Sequence, residues 1–109
     1  MTAKEILGKC SNLPVDEKRE VSDDYAELVF FNKELNQWNE TIAGILGPAA
    51  KPSGEKPSDE DAQITEEFGG IFDNQTLFKK ELPQSTIIAM FWPWQDEIHT
   101  TLKVAVLKK

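Results

Sequence analysis

One cysteine, one histidine and one tyrosine in 109 residues is a sparse supply of chemistry, and each scarcity excludes something. Cys10 has no partner for an internal disulfide, so a stapled secreted scaffold is ruled out and a packed core must hold the fold. His99 cannot build a histidine metal centre by itself, and no metal site is expected. Long apolar runs are missing as well. Nothing approaches the ~20 residues of a membrane helix, and Met1-Thr2-Ala3-Lys4-Glu5 is not the start of a signal peptide. The expectation is a soluble, cytoplasmic protein with no membrane partner.

Excess basic charge is also absent: Lys and Arg number 12 against 19 Asp and Glu, for a net charge of −7. The acid lies in the first part, where residues 1–67 carry 15 acidic and 7 basic side chains; residues 68–109 carry 4 and 5. Nucleic-acid binding needs a basic stripe, so no nucleic-acid partner is expected. Solubility is the plain reading of the charge, and an acidic inhibitor of a basic protein is the sharper one.

The length suits one domain over 1–109, and a hydrophobic share of 39% is enough for a core. Leu28, Phe31, Leu35, Trp38, Ile42 and Ile45 follow one another at steps of three and four, which predicts a long amphipathic helix. Its start falls between Val15 and Asp23, where Ser22 could cap it with Asp23 and Asp24 on the first turn, and Gly47-Pro48 would end it. A short strand over Glu27 to Phe31 is the alternative, since Val29, Phe30 and Phe31 favour strands. Thr2 and Glu5 have the spacing of a capping box for a short first helix. Residues 48–61 read as an exposed Pro/Gly/Ser-rich loop. Ser58 then caps a helix through Ala62, Ile64 and Phe68, closed by Gly69-Gly70.

Beyond Gly70 the period changes to two. Ile71-Phe72 and Thr76-Leu77-Phe78 flank the turn residues Asp73-Asn74-Gln75, which predicts a hairpin. Thr86 to Trp92 is apolar on both faces and belongs inside a sheet. Pro93 to Glu97 turns the chain into a last strand, Ile98 to Lys108, with Ile98, Thr100, Leu102, Val104 and Val106 inward. The fold class is α+β: a long amphipathic N-terminal helix packed on a three- to four-stranded antiparallel meander sheet, cone-like or open. This element order resembles the cystatin-like and nuclear-transport-factor-like cone folds. The resemblance implies a helix cradled by a curved sheet, and it assigns no function.

No catalytic constellation is visible, so an enzyme and a cofactor are not expected. Cys10 lacks an orienting partner and an oxyanion loop, and Asp59-x-Asp61 lacks the glycine and later glutamate of a calcium loop. The ligand- or partner-binding candidates are Trp92, Trp94, Glu97 and His99. Trp92 and Trp94 flank Pro93 and alternate to the same side, where they either plug the core or offer a stacking surface. Glu97 and His99, two apart on a strand, would share a face. Leu107 on the outer face of the last strand calls for a cover, which sheet-to-sheet pairing or helix packing in a homodimer would supply.

The leading reading is therefore a small acidic binding or assembly module that uses an aromatic sheet rim to hold a protein partner or a second copy of itself. The alternatives are a cone-type pocket for a small apolar ligand, with His99, Glu97 and Tyr25 as its polar groups, and the acidic inhibitor.

Overall fold

A computed structural model describes all 109 residues. Three short helices and five strands alternate along the chain: α1 (Ala3–Lys9), β1 (Glu17–Val21), β2 (Tyr25–Phe31), α2 (Leu35–Leu46), α3 (Asp59–Thr65), β3 (Thr76–Glu81), β4 (Ser85–Pro93) and β5 (His99–Lys108). The class is α+β with one antiparallel sheet, as the patterning implies. Its five strands run in the order β1-β2-β5-β4-β3. Strands β3, β4 and β5 form a meander, and the β1–β2 hairpin joins the far edge of β5.

The long helix expected to start between Val15 and Asp23 and end near Leu46 is corrected to strands followed by a shorter helix. Residues 25–31 pair along their whole length with β5, and helix begins only at Leu35, after a 3-10 turn over Asn32–Glu34. The stripe was shared by two elements: Leu28 is inward on β2, whereas Trp38 and Ile42 are inward on α2. Residues 26, 28 and 30 also satisfy a period of two, and sheet pairing selects that period. Ser22 closes the β1–β2 turn instead of capping a helix. Its hydroxyl donates to the Tyr25 carbonyl at 2.9 Å and accepts the Tyr25 N–H at 3.2 Å. The N-terminal helix is α1, with seven residues.

Both smaller helices start as their sequences require. Thr2 and Glu5 form a reciprocal capping box on α1, and Ser58 and Asp61 form one on α3. The end of α2 receives the Lys80 ammonium, which donates to the Ile45 carbonyl at 3.2 Å and complements the negative end of the helix. The expected hairpin arm at Ile71-Phe72 is not a strand. Lys51, reaching in from the 48–61 segment, bridges to Leu77 in its place. Most of that segment is exposed, but Lys51 is buried.

The sheet has two distinct faces. On the first, α1 and α2 bring Ile6, Trp38, Ile42 and Leu46 onto Leu28, Phe30, Phe78, Ile87, Phe91, Leu102 and Val104. On the second, α3 and the 3-10 turn after it (Glu66–Phe68) set Ile64 and Phe68, with Ile71, over Leu77, Ile88, Met90 and Ala105. This second cover extends over β3, β4 and one end of β5. It reaches Tyr25 at the start of β2 but leaves the second face of β1, the rest of β2 and the start of β5 without a helix.

Strand β5 is central, hydrogen-bonded on both sides by β2 and β4. A homodimer formed by pairing along β5 is therefore excluded, and the sheet's edges are β1 and β3. Leu107 finds its cover within the chain, packed with Ile64 and Phe68. The cone resemblance loses its basis too, because no long helix exists for a sheet to curl around.

Candidate functional site

The uncovered part of the second face carries a tier of aromatic and charged side chains at the β4–β5 turn. Strand β4 ends at Pro93, and its pairing continues one residue further through the Trp94 N–H, which donates to the His99 carbonyl at 2.9 Å. Asp96 then closes the turn. One of its carboxylate oxygens accepts the backbone N–H groups of Ile98 and His99, at 2.9 and 3.1 Å. Glu97 takes the left-handed conformation this tight turn needs, with φ of 61°.

Three groups from distant parts of the chain meet there. The Trp94 indole donates to the Thr101 hydroxyl at 2.8 Å and lies against the His99 ring, with centroids 4.6 Å apart. Phe31 flanks the other side of His99 at 5.1 Å. The Arg19 guanidinium stands over Trp94 at 5.5 Å while holding Glu27 at 3.3 Å and Glu17 at 3.5 Å. Val29, directly opposite Thr101 on this face, is fully buried. Ile98 beside this tier is 54% exposed.

His99 is gripped from both nitrogens. Its Nδ1 lies 2.5 Å from the Asp96 carboxylate and its Nε2 lies 3.5 Å from that of Asp16. The partner on the near side is thus Asp96, not the expected Glu97, whose side chain is exposed at the turn tip. Strand alternation would put Glu97 beside His99, but the turn rotates position 97 out of the strand path. The Ile98 N–H and then the His99 ring stabilise the Asp96 carboxylate, pulling its pKa down from 3.8 to about 2.

Trp92 and Trp94 share the second face, as alternation implies, but have separate surroundings. Trp92 packs beside Phe68 and Met90 in the covered part, with the Lys103 ammonium 3.4 Å from its ring centroid. That ammonium also donates to the Phe68 carbonyl at 2.9 Å, and burial lowers its pKa. The Trp92 N–H is buried without a hydrogen-bond partner. Trp92 is thereby part of the wall, and Trp94 is the rim.

Asp16, Arg19 and Phe31 belong to the tier although the sequence reading did not select them. Arg19 and Asp16 arrive only because β1 pairs with β2, a long-range event with no local signature. Tyr25, a polar group of the cone-pocket reading, stacks on Phe68 at 5.6 Å and donates to Glu27 at 2.6 Å. Burial, and then that hydrogen bond, push its pKa upward. Tyr25 and His99 both point away from the face on which α1 and α2 pack, so no cavity between helix and sheet receives them together.

No protein-family model matches the chain, and neither a curated protein nor a solved structure shows significant similarity to it. No helix is long and apolar enough to cross a membrane.

Proposed function

We propose that this chain is a small binding module that engages a protein partner through the rim formed by Arg19, Trp94, His99 and Phe31, with Ile98 at its margin. The observation that carries the reading is the stack of Arg19 on Trp94 on His99 over a part of the sheet that no helix covers. Tryptophan and arginine are the residues in which interface energy concentrates. The indole is held in place by Thr101, so little side-chain entropy remains to be lost on binding. Glu17, Glu27, Asp16 and Asp96 surround it, which suits a partner presenting an apolar side chain flanked by basic residues.

Binding accounts for the site better than catalysis does. Both nitrogens of His99 face carboxylates of the chain itself, which leaves neither directed at a substrate. The imidazole serves as a brace between the turn and the segment leading into β1.

A photo-crosslinking phenylalanine analogue at Ile98 tests the proposal, with the same probe at Glu40, exposed on α2, as the control. In lysate of the source cells, position 98 should give a defined protein adduct that disappears with Trp94→Ala and weakens at high salt. Adducts that form equally from position 40, or that survive Trp94→Ala in a folded protein, would reject it.

A further inference from the structure

We propose that the recess between α1 and β1, on the opposite face of the sheet from the rim, binds a free alkyl carboxylate of medium chain length. The recess has a volume of about 330 Å³ and lies between Leu7 and Cys10 of the first helical segment and Leu13 and Val15 of the following loop. This is the small end of the range of ligand cavities, suited to a ligand below drug size. Trp38 and Cys10 make its floor, and neither offers a free polar group. The Trp38 indole N–H is already donated to the Pro14 carbonyl at 3.3 Å, and burial keeps the Cys10 thiol neutral.

Charge supplies the other half of the argument. Lys4 from α1 and Lys18 from β1 stand at this recess, and no acidic residue lines it. Neither lysine takes part in an ion pair, in a chain with 19 carboxylate side chains and a net charge of −7. The larger recess beside Tyr25 and Ile64 sets Asp24 and Glu67 against Lys108 alone, so its charged lining is net negative. Two unpaired ammonium groups at the mouth of an apolar hollow complement one ligand chemistry: a hydrocarbon tail with a single negative head. The tail would lie on Leu7, Leu13 and Val15, and the carboxylate would remain at the exposed lysines.

Calorimetric titration with octanoate, followed by amide chemical-shift mapping, tests the proposal. Binding should saturate at one site, with shifts centred on residues 7–15. Affinity should rise about fourfold for each methylene added from butanoate to octanoate, as burial of that group requires. The double variant Lys4→Glu/Lys18→Glu, at two exposed positions, should weaken octanoate several-fold and leave octanol unchanged. Failure of octanoate to saturate, equal binding of octylammonium, or shifts centred elsewhere would overturn the proposal. The rim variant Trp94→Ala should bind octanoate as the parent does, so the two proposals stand or fall separately.

Discussion

Gly69 packs against the edge of the Trp92 indole: a β-carbon on Gly69 would come within 2.4 Å of the Trp92 Cη2 and 3.1 Å of Cζ2. The backbone there is also left-handed, with φ of 98°, because Gly69 ends the 3-10 turn that follows α3. Two requirements therefore converge on one glycine. The turn must reverse so that Ile71 can enter the second core, and the edge of the indole must fit against the reversal.

Gly69→Ala should destabilise the protein by about 2–3 kcal/mol, combining left-handed strain with overpacking. Gly70→Ala is the control. Its φ is 82°, yet nothing lies within 4 Å of an added β-carbon, so only the strain of about 1 kcal/mol is expected. Urea unfolding of the two variants gives the difference. Combining Gly69→Ala with Trp92→Leu should recover much of the excess, because the clash is with the indole itself.

Lys51 provides the second prediction. The buried Lys51 forms no ion pair, and its ammonium donates instead to the carbonyls of Pro52 at 3.1 Å, Asp73 at 3.0 Å and Gln75 at 2.5 Å. Three donors meet three acceptors, and the 48–61 segment is pinned to the turn ahead of β3. Lys51→Met keeps the length of the side chain but leaves those carbonyls unpaired, so it should cost about 3 kcal/mol. Amide hydrogen exchange should show residues 50–54 and 72–76 losing protection first, while α1 and β2 stay protected. A variant as stable as the parent would mean that water replaces the ammonium without loss.

How far the sequence discloses this fold depends on whether a feature is local. The capping boxes at Thr2/Glu5 and Ser58/Asp61 need only residues three apart, and both are formed. Thr86 to Trp92, by its unbroken apolar run, and the last strand, by its period of two, can be read without a partner. Residues 22–31 are different, because their steps of three and four run unbroken into α2 across a strand-to-helix junction. Glu27 between Ala26 and Leu28, and the run Val29-Phe30-Phe31, held the opposing signal. At the site, the closeness of Trp94 to His99 follows from the hairpin. Arg19 and Asp16 do not, since β1 reaches them only through pairing with β2, which in turn pairs with β5. Ideal strand alternation pairs His99 with Glu97, but the turn leaves the strand path and brings Asp96 to the ring instead.

The third prediction concerns acid. Asp96 has a pKa near 2 in the fold against an ordinary 3.8, so folding favours its ionised form. The resulting stability is fully present above about pH 4 and is lost as pH falls from there through 2. Asp96→Asn retains an acceptor for the Ile98 and His99 N–H groups but does not titrate. The stability difference between parent and variant should be flat above pH 5 and shrink between pH 4 and 2. Chemical unfolding at intervals across that range measures it, and a difference that stayed constant would remove the carboxylate from the account of this turn.

The last prediction concerns the lone thiol. Cys10 ends α1 with 2% of its surface exposed, and burial pushes its pKa from 9.0 up to about 11. A thiol in that state is neither ionised nor accessible at pH 8, so iodoacetamide should label it only when α1 lifts away from β2. Folding favours the protonated form. The stability it contributes is therefore complete below pH 9 and is lost as pH rises through 11, and Cys10→Ala should abolish that alkaline loss. The labelling rate also reports on the neighbouring recess, because the thiol forms part of its floor. If saturating octanoate slows labelling of the parent but not of Lys4→Glu/Lys18→Glu, the ligand is holding α1 down on the sheet. Acceleration instead would mean that octanoate binds only with the helix lifted, and the recess of the closed state would not be its site.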